Sequence, residues 1–158
     1  MITAYRLSRS ARRASCWTGV GAEIAGGRWN SKGTAIVYCS DSLALCQLET
    51  LVNISSVDNL IGYDWASVEI PDDLVIEVED KFKLPKGWDS YPRIPETAYI
   101  GDHWVNEQLS AVLAVPTSIE PQGRNYLLNP AHPDFAKLKP SKPKPLELDK
   151  RLKQQSEG

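Results

Sequence analysis

The order and spacing of strand-like and helix-like runs most strongly constrain the fold of this chain. Strand-like runs occupy residues 2–8, 35–39, 63–70, 74–78 and 111–115. Helical periodicity appears in two places, over roughly 42–53 and 96–109. Strands therefore lie at both ends and in the middle, without the regular strand–helix alternation of a doubly wound parallel sheet. We predict an α+β fold, a single domain with mostly antiparallel sheets and a few helices.

Composition limits the classes of function. The chain has 158 residues, a net charge of −2 and a pI of about 5.7, so it lacks the basic footprint of a general nucleic-acid binder. The first 32 residues are nevertheless cationic, and the acidic residues concentrate between 58 and 107. This asymmetry indicates either an anion pocket built from the N-terminal third or a solvated basic face.

Cysteine usage and the N-terminal residues bear on the compartment. The three cysteines are an odd number without a C-x-x-C pair, so neither a disulfide framework nor a zinc site is indicated. Residues 1–6 show no apolar signal core, and no run approaches the length of a membrane span. We expect a cytoplasmic protein without a membrane association and without a metal.

A glycine-rich loop running into a strand carries the densest set of ligand-binding side chains. Glycines at positions 26, 27 and 33 permit close backbone approach. Between and after them stand two cations, two aromatic rings and an amide, namely Arg28, Lys32, Trp29, Tyr38 and Asn30. Such a set suits an anionic, ring-bearing ligand. The loop matches neither phosphate-loop fingerprint, however, so taken alone it also fits a surface loop with Trp29 as packing.

The helix predicted over 42–53 places a carboxylate beside its buried face. Its apolar stripe comprises Ala44, Leu48, Leu51 and Val52, with Leu45 beside them. Glu49 falls just off this stripe, at the rim, where a carboxylate can be partly desolvated and still meet a ligand. A solvated helix glutamate is the alternative.

Ser118 follows an apolar strand and a proline, which would hold its hydroxyl rigidly.

The C-terminal part is rich in lysine and proline. Residues 139–145 predict an extended basic linker. We expect a last strand over 146–152 and a disordered tail over 153–158.

Several motifs occurring in order resemble the RES domain family. They are Tyr5-Arg6, Gly27-Arg28-Trp29-Asn30 with Gly33, Val37-Tyr38, Leu48-Glu49, Val115-Pro116-Thr117-Ser118 and the run from Asn125 to Pro133. The resemblance extends from residue 3 to 152 and implies a RES domain over 1–152. The family takes its name from an arginine, a glutamate and a serine.

This resemblance implies a fold similar to ADP-ribosyltransferases and a role as the toxin of a bacterial toxin–antitoxin pair. Family members consume NAD⁺ by hydrolysis or phosphorolysis, or transfer ADP-ribose to a protein. Carried over by motif, the catalytic residues are Arg28, Glu49 and Ser118, and the residues that bind NAD⁺ are Arg6, Trp29, Asn30 and Tyr38. The run from Asn125 to Pro133 is assigned mainly to structure.

The chemistry of cleaving the nicotinamide–ribose bond of NAD⁺ agrees with this set of residues. Nicotinamide carries a positive charge in NAD⁺ and leaves neutral, so its departure needs neither a general acid nor a metal. Glu49 would accept a hydrogen bond from the ribose 2′-hydroxyl and stabilise the developing cation. Arg28 and Arg6 would bind the diphosphate, and Tyr38 or Trp29 would stack on the nicotinamide ring.

The resemblance also implies a partner, an antitoxin of the Xre-like helix-turn-helix type that covers the active site. Because this chain is acidic and has no DNA-reading motif, nucleic acid would be bound only through that antitoxin. A homo-oligomer of the toxin within the complex remains open. Two alternatives to NAD⁺ degradation also remain: mono-ADP-ribosylation of a host protein, and a non-catalytic interaction domain with an anion pocket. An RNA-cleaving toxin is disfavoured by the net charge and by the lack of a histidine base.

Overall fold

The computed structural model describes residues 1–54 and 56–152. These residues form eight strands and four α-helices, joined by turns of 3-10 helix. The strands are β1 (Ile2–Arg9), β2 (Val37–Ser40), β3 (Tyr63–Ile70), β4 (Val75–Glu77), β5 (Val112–Pro116), β6 (Arg124–Leu128), β7 (Lys139–Pro140) and β8 (Lys144–Pro145). The α-helices are α1 (Val20–Ala25), α2 (Leu43–Leu51), α3 (Val78–Lys81) and α4 (Pro95–Asn106).

All the strands belong to one sheet, in the order β4-β5-β6-β2-β1-β3-β7, and β8 also pairs with β3. Every pairing is antiparallel except that between β4 and β5. This exception follows from connectivity, because the chain between those two strands crosses over through α3 and α4. The predicted α+β class with mostly antiparallel pairing is confirmed.

The sheet opens between β1 and β2. Strand β1 pairs with β3 along its whole length, from Ile2 to Arg9, whereas the two described strands β1 and β2 share one register pair, Tyr5 with Ser40. Where they separate, Arg6 Nη1 donates a hydrogen bond to the carbonyl of Tyr38 at 3.0 Å. A side chain on β1 therefore satisfies a backbone acceptor of β2.

Two apolar clusters lie on opposite faces of this sheet. Leu128 belongs to the first cluster and Leu127 to the second, and consecutive strand residues point to opposite faces. Helix α4 covers the second cluster with Trp104, which is fully buried and donates its indole N–H to Ser110 Oγ at 2.8 Å. Among residues 1–54 and 56–152, no helix is both long and apolar enough to cross a membrane.

Helix α2 forms close to where it was predicted but buries a different face. The predicted apolar stripe is wrong, because Leu48 is 44% and Val52 62% exposed while Leu45 and Cys46 are buried. The contact with β1 decides this orientation, since the Cys46 thiol donates to the carbonyl of Tyr5 at 2.8 Å. Periodicity alone does not show which of two apolar stripes meets the sheet.

Two further expectations are corrected. The stretch 9–34, whose glycine, serine and arginine content predicts one long loop, contains α1 and a 3-10 turn at Ser10–Ser15. The last strand predicted over 146–152 is absent there; strands β7 and β8 instead lie within the predicted linker 139–145. Both run along β3 at the edge of the sheet, where proline is tolerated because it need not donate to a further strand. The tail predicted over 153–158 lies outside the described residues.

Candidate active site

The glycine-rich loop is fixed by close packing on α4. A Cβ atom at Gly101 would lie 1.6 Å from the carbonyl oxygen of Trp29, so only glycine lets the two backbones approach this closely. The next residue, Asp102, accepts a hydrogen bond from the backbone N–H of Ser31 at 2.9 Å. The position of the loop is therefore set by a helix about seventy residues further along the chain.

Asn30 of the loop and Tyr38 of β2 form a polar pair, in which Asn30 is buried and Tyr38 is half-buried. The Tyr38 hydroxyl donates to Asn30 Oδ1 at 2.7 Å and accepts from the backbone N–H of Trp29 at 3.1 Å. Burial raises the pKa of Tyr38, so the phenol stays protonated and remains a donor. The Asn30 amide donates to the carbonyls of Ala22, Ser31 and Thr34. Gly27 packs against this pair, since a Cβ there would lie 2.8 Å from the Tyr38 hydroxyl.

Two residues predicted to bind the ligand occupy buried positions. Trp29 is 2% exposed and belongs to the apolar cluster beneath α4, so its ring presents no open face for stacking and we assign it to packing. Asn30 is buried as well, and its amide is used by the hydrogen bonds of the loop itself. Both side chains therefore give the loop its shape.

The two predicted arginines are held by backbone carbonyls and keep free donors. Arg28 Nη1 donates to the carbonyls of Trp88 at 2.6 Å and Ser90 at 3.0 Å. Arg6 donates from Nε to the carbonyl of Cys16 at 2.7 Å and from Nη1 to that of Tyr38 at 3.0 Å. A guanidinium has five N–H donors, so each arginine has donors without a partner among residues 1–54 and 56–152. These contacts orient both side chains without neutralising them.

Glu49 on α2 is half-buried, and one of its carboxylate oxygens is held in place. Its Oε1 accepts hydrogen bonds from Thr117 Oγ1 at 2.5 Å and from Asn125 Nδ2 at 2.8 Å. Asn125 Oδ1 in turn accepts from Ser40 Oγ at 2.7 Å. Within the part of the chain that the structure describes, Oε2 has no hydrogen-bond partner. The carboxylate is thus fixed through one oxygen and open through the other.

Strand β2 connects the carboxylate to the loop. Tyr38 and Ser40 are two residues apart and point to the same face of the strand, which separates their Cα atoms by roughly 6–7 Å. Burial raises the pKa of Cys46 on α2 to about 11, and the charges of Arg6 and Glu49 respectively lower and raise it. Arg6 also bonds to the backbone carbonyl of Tyr38 where β1 and β2 separate.

The structure adds Thr117 and Asn125 to the predicted set. Ser118 is exposed, and its hydroxyl has no partner among the described residues, whereas the adjacent Thr117 is 6% exposed and bonds to Glu49. The alternation of strand β5 contained a signal, because Thr117 lies two residues after the buried Val115 and so shares its face. Asn125 lies in the motif run that was assigned mainly to structure, and its partner Glu49 lies 76 positions away.

Comparison with known proteins identifies the family to which this chain belongs. The RES domain model matches residues 3–149. The chain is 38% identical over 152 residues to the Prs ADP-ribosylating toxin of Sphingobium sp. (strain YBL2), covering 94% of each chain. It is also 38% identical over 150 residues to Toxin Res of Yersinia enterocolitica serotype O:8 / biotype 1B (strain NCTC 13174 / 8081), covering 94% of this chain and 98% of that relative.

A solved structure shares the fold. A chain in the crystal structure of the M. tuberculosis MbcT–MbcA toxin–antitoxin complex superposes with a TM-score of 0.71 at 19% identity, covering 98% of this chain and 88% of that one. The fold and the relatives first define a class, the homologues of bacterial toxins. Within that class the chain belongs to the RES domain family, as its motifs predicted.

Proposed function

We propose that this protein is the toxin of a toxin–antitoxin pair and that it cleaves the nicotinamide–ribose bond of NAD⁺. The observation that carries this proposal is the state of the Glu49 carboxylate. One oxygen is held by Thr117 and Asn125, and the other has no partner among the described residues. A carboxylate oriented in this way, in a chain whose loop and first strand carry two arginines with spare donors, suits a substrate that combines a developing cation with a diphosphate.

Bond cleavage would pass through an oxocarbenium-like transition state. Glu49 Oε2 accepts a hydrogen bond from the ribose 2′-hydroxyl and stabilises the positive charge that grows on the ring. Nicotinamide leaves as a neutral molecule, so no side chain has to protonate it. The free donors of Arg28 and Arg6 bind diphosphate oxygens, and the exposed hydroxyl of Ser118 contacts the carboxamide or the ribose.

The acceptor of the ADP-ribosyl group distinguishes the two enzymatic versions. Water or phosphate gives NAD⁺ degradation, which we place first. The second candidate is mono-ADP-ribosylation of a host protein, and it is favoured by the name of the Sphingobium relative, an ADP-ribosylating toxin at 38% identity. Both versions break the same bond, so the role of Glu49 is shared.

Incubating the purified protein with NAD⁺, with and without phosphate, and identifying the products by liquid chromatography and mass spectrometry tests this proposal. We expect release of nicotinamide, accompanied by free or phosphorylated ADP-ribose. A mass increase on added host proteins instead would establish the transferase version. Alanine variants at Arg28, Glu49 and Ser118 should each abolish toxicity and remain folded by circular dichroism. Absence of nicotinamide release from the wild-type protein under all these conditions would leave a non-catalytic interaction domain.

We further propose that the protein acts in the cytoplasm together with an Xre-like helix-turn-helix antitoxin. The structural neighbour was solved as a toxin–antitoxin complex, and the acidic chain leaves operator binding to its partner. Co-expression with the product of the adjacent upstream gene should yield a co-purifying complex, and light scattering would then give the number of toxin copies. Harmless overexpression of the free chain would contradict this part of the proposal.

A further inference from the structure

A cleft separates the glycine-rich loop from the start of α4. Its volume is about 260 Å³, and its walls include Gly26, Gly27, Lys32, Arg93 and Ala98. Gly26 leaves part of one wall without a side chain, whereas Gly27 is covered by the Tyr38 hydroxyl. A ligand in the cleft can therefore approach the main chain closely at Gly26.

Two cations from distant parts of the sequence converge on this wall. A Cβ atom at Gly26 would lie 3.5 Å from Lys32 Cγ and 3.6 Å from Arg93 Nη2. The ion pairs found among residues 1–54 and 56–152 use other cations, so neither of these two has a carboxylate partner there. Both side chains are exposed, and two like charges at one wall favour an anionic ligand there.

Arg28 helps to bring Arg93 to this position. Its Nη1 atom holds the carbonyls of Trp88 and Ser90, the turn that leads into Arg93. Helix α4 starts directly afterwards; no side chain of the described residues caps its N-terminus, and Glu96 lies in its first turn. The positive end of this twelve-residue helix adds to the charge of the cleft.

The cleft also adjoins the polar pair of Asn30 and Tyr38, because Asn30 contributes to its lining. Burial raises the pKa of Tyr38; the charges of Arg93 and Arg28 oppose that shift, and the charge of Asp102 adds to it. Both guanidinium groups therefore lie near one phenol, on the strand that also carries Ser40 of the Glu49 network.

We propose that this cleft is the diphosphate subsite and that Lys32 and Arg93 contact the diphosphate of the bound dinucleotide. The inference rests on the proposed function, which supplies a diphosphate-containing substrate. It changes the roles expected of the arginines in diphosphate binding. Arg28 positions the turn that carries Arg93, and Arg93 together with Lys32 provides additional positive charge for the diphosphate.

The test uses two readouts, inorganic pyrophosphate binding by isothermal titration calorimetry and the steady-state kinetics of nicotinamide release. In Arg93→Ala and Lys32→Ala we expect pyrophosphate affinity to fall, and KM for NAD⁺ to rise, by about tenfold or more, with kcat retained. Arg12→Ala and Lys142→Ala serve as matched controls, because both side chains are exposed cations outside the cleft. Arg93→Lys should recover part of the affinity.

The two readouts separate the inference from the proposed function. Wild-type turnover with an unchanged KM in the Arg93→Ala, Lys32→Ala double variant would overturn the subsite and leave the enzyme. Failure of the folded wild-type protein to bind pyrophosphate would also overturn the subsite. Pyrophosphate binding that is lost in both cleft variants and kept in both controls would support the subsite even if NAD⁺ were not cleaved, in which case the proposed function alone would fail.

Discussion

Substituting Thr117 by valine tests most directly how the carboxylate is held. Valine keeps the branched shape of threonine and removes the hydroxyl that donates to Glu49 Oε1 at 2.5 Å. Because Thr117 is 6% exposed, water has poor access to replace the lost donor. Glu49 would then be held by Asn125 alone, and the backbone N–H of Ile119 would lose its acceptor as well.

The size of the effect follows from the kind of bond that is removed. A hydrogen bond to a charged group contributes about 1.5–3 kcal/mol. If that orientation is needed in the transition state, kcat falls roughly 10- to 150-fold. We expect KM for NAD⁺ to change by less than about threefold, because the diphosphate contacts lie elsewhere and kcat and KM report different interactions.

The assay is initial-rate nicotinamide release at saturating NAD⁺, with unfolding free energies measured in parallel to exclude loss of folded protein. Thr50→Val is the matched control, because Thr50 lies on the same helix as Glu49 and donates its hydroxyl to the carbonyl of Cys46 instead. A kcat for Thr117→Val within twofold of the control would refute the argument that this hydroxyl orients the carboxylate.

Three further outcomes are expected. Gly101→Ala should lower the free energy of unfolding in urea by about 3 kcal/mol, because its Cβ would lie 1.6 Å from the Trp29 carbonyl, whereas Gly21→Ala, with no atom within 4 Å, should cost nothing. The hydrogen bonds and ion pair with Arg13 lower the pKa of the buried Asp64 carboxyl. The ionised carboxylate therefore stabilises the folded state above about pH 4, and this contribution disappears as pH falls through the folded-state pKa. Urea unfolding should therefore show Asp64→Asn less stable than the wild type at pH 7, with a smaller gap at pH 3. Glu49→Gln should reduce nicotinamide release at least about a hundredfold, and full turnover would rule out cation stabilisation by the carboxylate.

Several strands and helices could be predicted from the sequence because the local pattern of apolar and polar residues reflects them directly. Strand β3 begins and ends at the predicted residues, since buried side chains alternate along it with half-buried or exposed ones. The short strands β7 and β8 could not be predicted, because they are two-residue pairings along β3 in a lysine- and proline-rich stretch. Their pairing depends on the edge they meet and not on their own propensity.

The candidate site divides in the same way. Its motifs lie in sequence order, but the helical periodicity placed Glu49 beside a stripe that is exposed in the structure. The roles within the site were less accessible: Trp29 could be stacking or packing until its burial was known. Aromatic residues serve both purposes with the same local sequence.

The sequence by itself determined the family, the α+β class and the order of the arginine, glutamate and serine motifs along the chain. The tertiary structure decided which atoms meet: the hydroxyl that holds Glu49 comes from a residue 68 positions away, and Arg93 reaches the wall on which Lys32 lies. The physical reason is that such contacts depend on strand register and on the close approach of Gly101 to the loop. Neither the register nor this close approach produces a periodic pattern in the sequence of the neighbouring residues.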